Sequence, residues 1–174
     1  ELTADDIRGL ADAFAAAASR ALRIGLDLVE LHSAHGYLLH QFLSPLSNQR
    51  TDCYGGSLEN RMRAPLEIAR AVREAWPRER ALGARITASD WAEGGFEVQD
   101  ATAYARELKR IGLDYVCVSS GGVVAHQRIE VDPRVDAHGP EAVDEILGAD
   151  VARGAGGKGA AAEPADRAVE VGHA

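Results

Sequence analysis

Ile7, Leu10, Ala11, Phe14, Ala18 and Leu22 recur at helical spacing and mark one face of a helix over residues 4–22. Thr3 is placed to cap it, Asp5 and Asp6 suit its positive end, and Gly25 can close it in a left-handed conformation. The pattern then tightens into an apolar run, and residues 26–31 predict a buried strand followed by a long loop to about Gly56. Ser57 caps a second helix to about Ala75, which Pro77 stops. Residues 84–88 predict a second strand. Residues 99–111 predict a third helix with Ala101, Tyr104, Ala105 and Leu108 on its inner face. Residues 115–118 predict a third strand, ending in the Gly-bearing turn SSGG.

Helices alternating with strands mean an α/β fold with parallel strands. An internal echo supports repeated units: RIGLDLV at 23–29 returns as RIGLDYV at 110–116, each with a helix ending on Gly and an Asp before a strand. A helix-to-strand turn of any origin can use the same residues. Three strands do not close a barrel, since an eight-stranded one takes roughly 200 residues or more. The chain is therefore a small open sheet or a piece of a barrel. From Arg134 onward Ala and Gly dominate. Residues 140–149 allow a short helix, no strand pattern is evident, and the segment has few large apolar residues to offset the entropy of ordering. The expected division is an α/β unit over 1–133 and a loosely held tail over 134–174.

Composition narrows the function. The formal charge is −8 and no Lys/Arg block stands out, which argues against nucleic acid as a partner. No stretch reaches the ~20 apolar residues of a membrane span, and the first residues lack the features of a signal peptide. Cys53 and Cys117 are the two cysteines, without metal-ligand spacing, so a reduced, cytoplasmic protein is expected.

Candidate chemistry concentrates in residues 30–63, ELHSAHGYLLHQFLSPLSNQRTDCYGGSLENRMR. His32 and His35 stand three apart directly after the first strand, where α/β barrels build active sites. Two imidazole N–H groups converging on one oxygen would polarise a carbonyl as an oxyanion hole does. A metal site is the weaker reading, because two ligands need a third and the side taken by Glu30 is open. Arg85, between Ala84 and Ile86, should point opposite to its apolar neighbours, and a buried guanidinium needs an anionic partner. Asp52, Gly55 and Gly56 read as turn residues, Arg50 and Arg61 as partners of loop acids or carbonyls, and His40 as structural.

The run HSAHGYLLHQFLSP, continued by YGGSLENR, closely resembles the Old Yellow Enzyme group of FMN-dependent oxidoreductases, and His at the second position resembles its thermophilic-like class. The resemblance covers residues 1–133. It implies a partial (β/α)8 barrel of about three βα units, matching family strands 4 to 6. It implies that His32 and His35 hydrogen-bond the substrate carbonyl oxygen above the flavin. It also implies that Tyr37, beside them, delivers a proton, for which a neutral phenol is suited. Arg85 matches the residue at the N1/C2-carbonyl edge of FMN. The implied activity is that of an NAD(P)H dehydrogenase or ene-reductase, with NAD(P)H as reductant and an activated alkene or enone as substrate. A homo-oligomeric parent is compatible with it. The family segments with the first strands and the phosphate-binding site have no match here. An inactive remnant or interaction module without flavin is therefore one alternative. A segment of an iron–sulfur flavoprotein of the dienoyl-CoA reductase type is another, though its Cys cluster has no counterpart here.

Overall fold

The computed structural model describes residues 1–128 and the backbone of a strand at Ala168–Val171. The order is α1 (Ala4–Arg23), β1 (Leu28–Ser33), α2 (Leu38–Leu43), α3 (Leu58–Ala75), β2 (Ala81–Thr87), α4 (Val98–Ile111), β3 (Tyr115–Ser119) and β4 (Ala168–Val171). The sheet runs β3-β2-β1-β4, and every pair is parallel.

Local chemistry sets the helix ends. Thr3 and Asp6 form a capping box in which Thr3 Oγ1 accepts from the Asp6 N–H and the Asp6 carboxylate accepts from the Thr3 N–H. Hydrogen bonds from the Thr3 N–H and then the Thr3 hydroxyl hold the Asp6 carboxyl below its ordinary value. Ser57 Oγ accepts from the Asn60 N–H at the start of α3. The echoed turns share their geometry. Gly25 and Gly112 are both left-handed, at φ +84° and +97°, and each lets the chain leave a helix and enter a strand.

Two differences from expectation stand out, beside a start of β2 three residues early, at Ala81, and the short helix α2 within the expected long loop. β1 begins and ends two residues later than the apolar run suggests, so His32 lies within the strand and not after it. The ladder to β2 carries the pairing through His32 and Ser33 to Arg85 and Ile86, and this outweighs the loss of apolar character. The second difference is β4, in a region where no strand pattern was evident. Its four residues, AVEV, pair with residues 28–31 of β1. A stretch so short amid Ala and Gly carries almost no alternation to read, and the free edge of β1 supplies the pairing partner. The short helix expected at 140–149 and the loosely held tail lie outside the described residues.

Alternation along β1 and β2 divides the sheet into two faces. Val29, Leu31, Leu82, Ala84 and Ile86 are buried in the main core. Phe14 and Ala18 from α1, Ile68 and Val72 from α3, and Tyr104 and Leu108 from α4 belong to the same cluster. Trp76 closes its lower end, with Nε1–H donating to the Ala81 carbonyl at 3.1 Å. Tyr104 is wholly buried, its hydroxyl 3.2 Å from Ser33 Oγ, and burial pushes its phenol well above the ordinary range.

Candidate active site

The opposite face of the sheet is polar. Strand register places His32 beside Arg85, Arg85 beside Cys117, Thr87 beside Ser119, and Gly83 beside Tyr115. Residues so paired project to the same side. His32, Thr87 and Ser119 stand at or next to the carboxyl ends of three consecutive parallel strands, the end at which open and closed α/β sheets carry their ligands.

The chain between β1 and α2 turns back over that end. His32 is buried, and its ring lies 5.3 Å from that of His35 in an edge-on arrangement and 4.9 Å from that of Tyr37. Tyr37 is half exposed, so the cluster opens to solvent on its side. His35 has φ +57°, rare for a residue with a side chain. Its N–H donates to Thr87 Oγ1 at 3.1 Å, and its Nε2 lies 2.5 Å from Ser119 Oγ. Gly122 packs directly on this turn. A Cβ on Gly122 would come within 2.6 Å of the His35 Cα, and one on Gly36 within 2.4 Å of the Gly122 carbonyl oxygen. The SSGG turn is thereby fitted to the His35–Gly36 backbone, and only glycine allows that approach.

Arg85 sits one strand over from His32, with Nε 3.4 Å from Glu30 Oε1. Its side chain is 40 % exposed and that of Glu30 only 17 %, so the acidic member of the pair is the more enclosed and the cation the more accessible. Tyr115 joins this pair, with its ring lying where a Cβ on Gly83 would be, 2.1 Å from the nearest ring atom. Burial, then the charge of Glu30 and a hydrogen bond to it, push the Tyr115 phenol well above its ordinary value. Glu30 therefore faces the same side as His32. Among the described residues no group of three or more His, Cys, Asp or Glu is placed to hold a metal ion.

The four residues singled out in the sequence thus fall on one face. His32, His35 and Tyr37 form a single ring cluster, and Arg85 is the strand neighbour of His32. Thr87 and Tyr115 escaped the sequence reading. The alternation Gly83, Arg85, Thr87 on β2 is the signal that could have found Thr87. Tyr115 required the register of β3, which no local pattern shows.

The loop after α2 is architectural. Arg50 binds both carboxylate oxygens of Asp52, at 3.0 and 2.5 Å, and the Leu2 carbonyl at 2.8 Å. The hydrogen bond from Arg50 holds the Asp52 carboxyl below its ordinary value. Arg61 donates to the Leu43 and Gly56 carbonyls at 2.7 and 2.6 Å.

Comparison with known proteins gives this geometry its family. The NADH:flavin oxidoreductase / NADH oxidase family matches residues 1–144. The chain belongs to that family, the Old Yellow Enzyme group. Among curated relatives, the NADPH dehydrogenase of Bacillus subtilis (strain 168) is 42% identical over 157 residues, covering 90% of this chain and 45% of that protein. An NADH:flavin oxidoreductase of Gibberella zeae is 47% identical over 131 residues, covering 70% of this chain and 32% of that protein. Among solved structures, morphinone reductase superposes with a TM-score of 0.65 at 35% identity, over 83% of this chain and 37% of that one. A 2-naphthoyl-CoA reductase complex superposes at 0.67 and 32% identity, over 70% of this chain and 18% of that one. This family member spans less than half the length of the curated relatives it matches. Among the described residues no helix is long and apolar enough to cross a membrane.

Proposed function

We propose that this chain supplies the substrate-oxygen side and one flavin-edge contact of an FMN-dependent NAD(P)H oxidoreductase acting on activated alkenes. The observation that carries the reading is the ring cluster of His32, His35 and Tyr37 beside Arg85 on the polar face of three parallel strands. On this reading the strands are the fourth to sixth of the family barrel, and the polar face is its interior. The donor set suits FMN. A cation more accessible than its Glu30 partner fits the electron-rich edge of a planar ring system, and imidazole donors stand at the adjacent strand end. With Arg85 at its edge, FMN would supply the hydride-transfer chemistry that links NAD(P)H to the alkene.

The chain's own residues have separate tasks. His32 and His35 donate N–H groups to the substrate carbonyl oxygen and stabilise charge as it grows there. Ser119, at Nε2 of His35, fixes the rotation of that ring. Tyr37, whose ring packs on His32 while its outer side meets solvent, holds the proton destined for the α-carbon. Arg85 places positive charge against the edge of the flavin where negative charge collects on reduction.

Two measurements test this. Titration of the purified chain with FMN should quench flavin fluorescence, and Arg85→Ala should weaken the quenching. A colourless protein that leaves FMN fluorescence untouched would favour a remnant without flavin. In a protein of the relatives' length, His32→Ala and His35→Ala should retain flavin yet lose phenol and enone binding. Alkene reduction should fall by about 10²–10³, as when one of two oxyanion donors is removed. Unchanged reduction in either variant would make the pair structural.

A further inference from the structure

We propose that His40, anchored by Asp90, is the positioning residue of the site: its imidazole accepts the Gly36 N–H and so fixes the turn that presents His35. His40 and Asp90 are both wholly buried. Asp90 Oδ2 accepts from the Ser44 hydroxyl at 2.6 Å and from the Phe96 N–H at 2.7 Å, while Oδ1 lies 2.9 Å from His40 Nε2. At the other side of the ring, His40 Nδ1 accepts from the Gly36 N–H at 2.9 Å.

This arrangement fixes the tautomer. A nitrogen that accepts an amide proton carries none of its own, so the ring proton lies on Nε2, facing the carboxylate. Burial by itself raises the Asp90 carboxyl, but the donors from His40, Phe96 and Ser44 outweigh it and keep the group below its ordinary value. The carboxylate thus orients the imidazole, and the imidazole orients a backbone amide.

The amide is the one that matters for His35. His35 and Gly36 are consecutive left-handed residues, at φ +57° and +75°. A left-handed residue with a side chain is strained and persists only where its surroundings enforce it. Here two successive N–H groups are captured by side chains from different elements, His35 by Thr87 of β2 and Gly36 by His40 of α2. The Gly122 backbone blocks the space into which the turn could relax. His40 and Asp90 thus act on the site through the backbone of the turn.

The test separates the two ring nitrogens. The amide oxygen of Asn reaches about where Nδ1 lies, and the amide nitrogen of Gln about where Nε2 lies. His40→Asn therefore keeps the acceptor for Gly36, whereas His40→Gln keeps the donor toward Asp90 and drops that acceptor. In the wild-type chain, nuclear magnetic resonance should show a 15N–15N coupling through the hydrogen bond from Gly36 N to His40 Nδ1; its absence would overturn the proposal. His40→Asn should leave the His35 ring signals at their wild-type positions, and His40→Gln should displace them, although both variants lose thermal stability. Displacement in both, or in neither, would overturn the positioning role. Should His40→Gln fail to fold, His40→Asn alone decides by the same signals. The proposed function enters only in the consequence for substrate. The readout is His35 itself in flavin-free protein, so failure here and failure of FMN binding are separate results.

Discussion

The two faces of the sheet use the same strands in opposite ways. On one, Leu31, Leu82, Ala84 and Ile86 are sealed under three helices in a mainly apolar core, whose Ser33 and Tyr104 hydroxyls satisfy each other. On the other, Glu30, His32, Arg85 and Tyr115 form a polar layer in which each charge has a named partner and Arg85 stays accessible. The apolar face needs only volume and hydrophobicity, which many sequences supply. The polar face needs particular groups at particular registers, because a buried charge without its partner is expensive. Stability and chemistry are thereby carried on alternate residues of the same few strands.

The sharpest way to break the contrast is to delete volume on the apolar side. Ile86 is wholly buried in the main core, and Ile86→Ala should cost about 2–5 kcal/mol in denaturant unfolding. Arg85→Ala, one residue away on the other face, should cost far less. Equal losses would mean that the polar face carries packing too.

A second substitution acts on the polar face where it is packed. The Tyr115 ring occupies the space above Gly83, so Gly83→Ala must displace an aromatic ring. Overpacking of this kind typically costs about 1–3 kcal/mol. The cost should shrink in a Tyr115→Ala background, and a double-mutant cycle gives the coupling directly. Additive losses would show that the ring does not lie over Gly83.

These cases also show what could be read from the chain alone. The helices were legible because their caps and apolar stripes are local, as with Thr3, Asp6 and the face from Ile7 to Leu22. The alternation of helix and parallel strand followed from them. His32, His35 and Tyr37 were legible as a group because they lie within six residues of one another in sequence, and a turn of that length brings such rings into contact. Arg85 was legible by its place between two apolar neighbours. Thr87, Ser119 and Tyr115 meet the others through strand register across fifty residues or more, and local pattern carries no register. His40 looked structural on its helical run, and its buried partner Asp90 lies fifty positions away. β4 was hidden for the opposite reason, since four residues pair there because an edge is available.

The smallest expected effect lies at Tyr115 and tests whether the polar face is one electrostatic unit. Burial comes first and the Glu30 charge second in raising its phenol above the ordinary value of 10.0. The neutral form is therefore favoured in the folded state. Its contribution to stability is fully present below the unfolded value and is lost as pH rises from there through the folded value. An ultraviolet titration should show Tyr115 among the late-ionising tyrosines, with Tyr104 and Tyr54, its share identified by the loss in Tyr115→Phe. Tyr104, also raised by burial, remains as the internal reference. Glu30→Gln removes the charge and keeps the burial, so Tyr115 should ionise earlier than in the wild type but still later than a free phenol. A titration that does not move would uncouple Tyr115 from Glu30. The polar layer would then divide into a Glu30–Arg85 pair and a tyrosine that is merely covered.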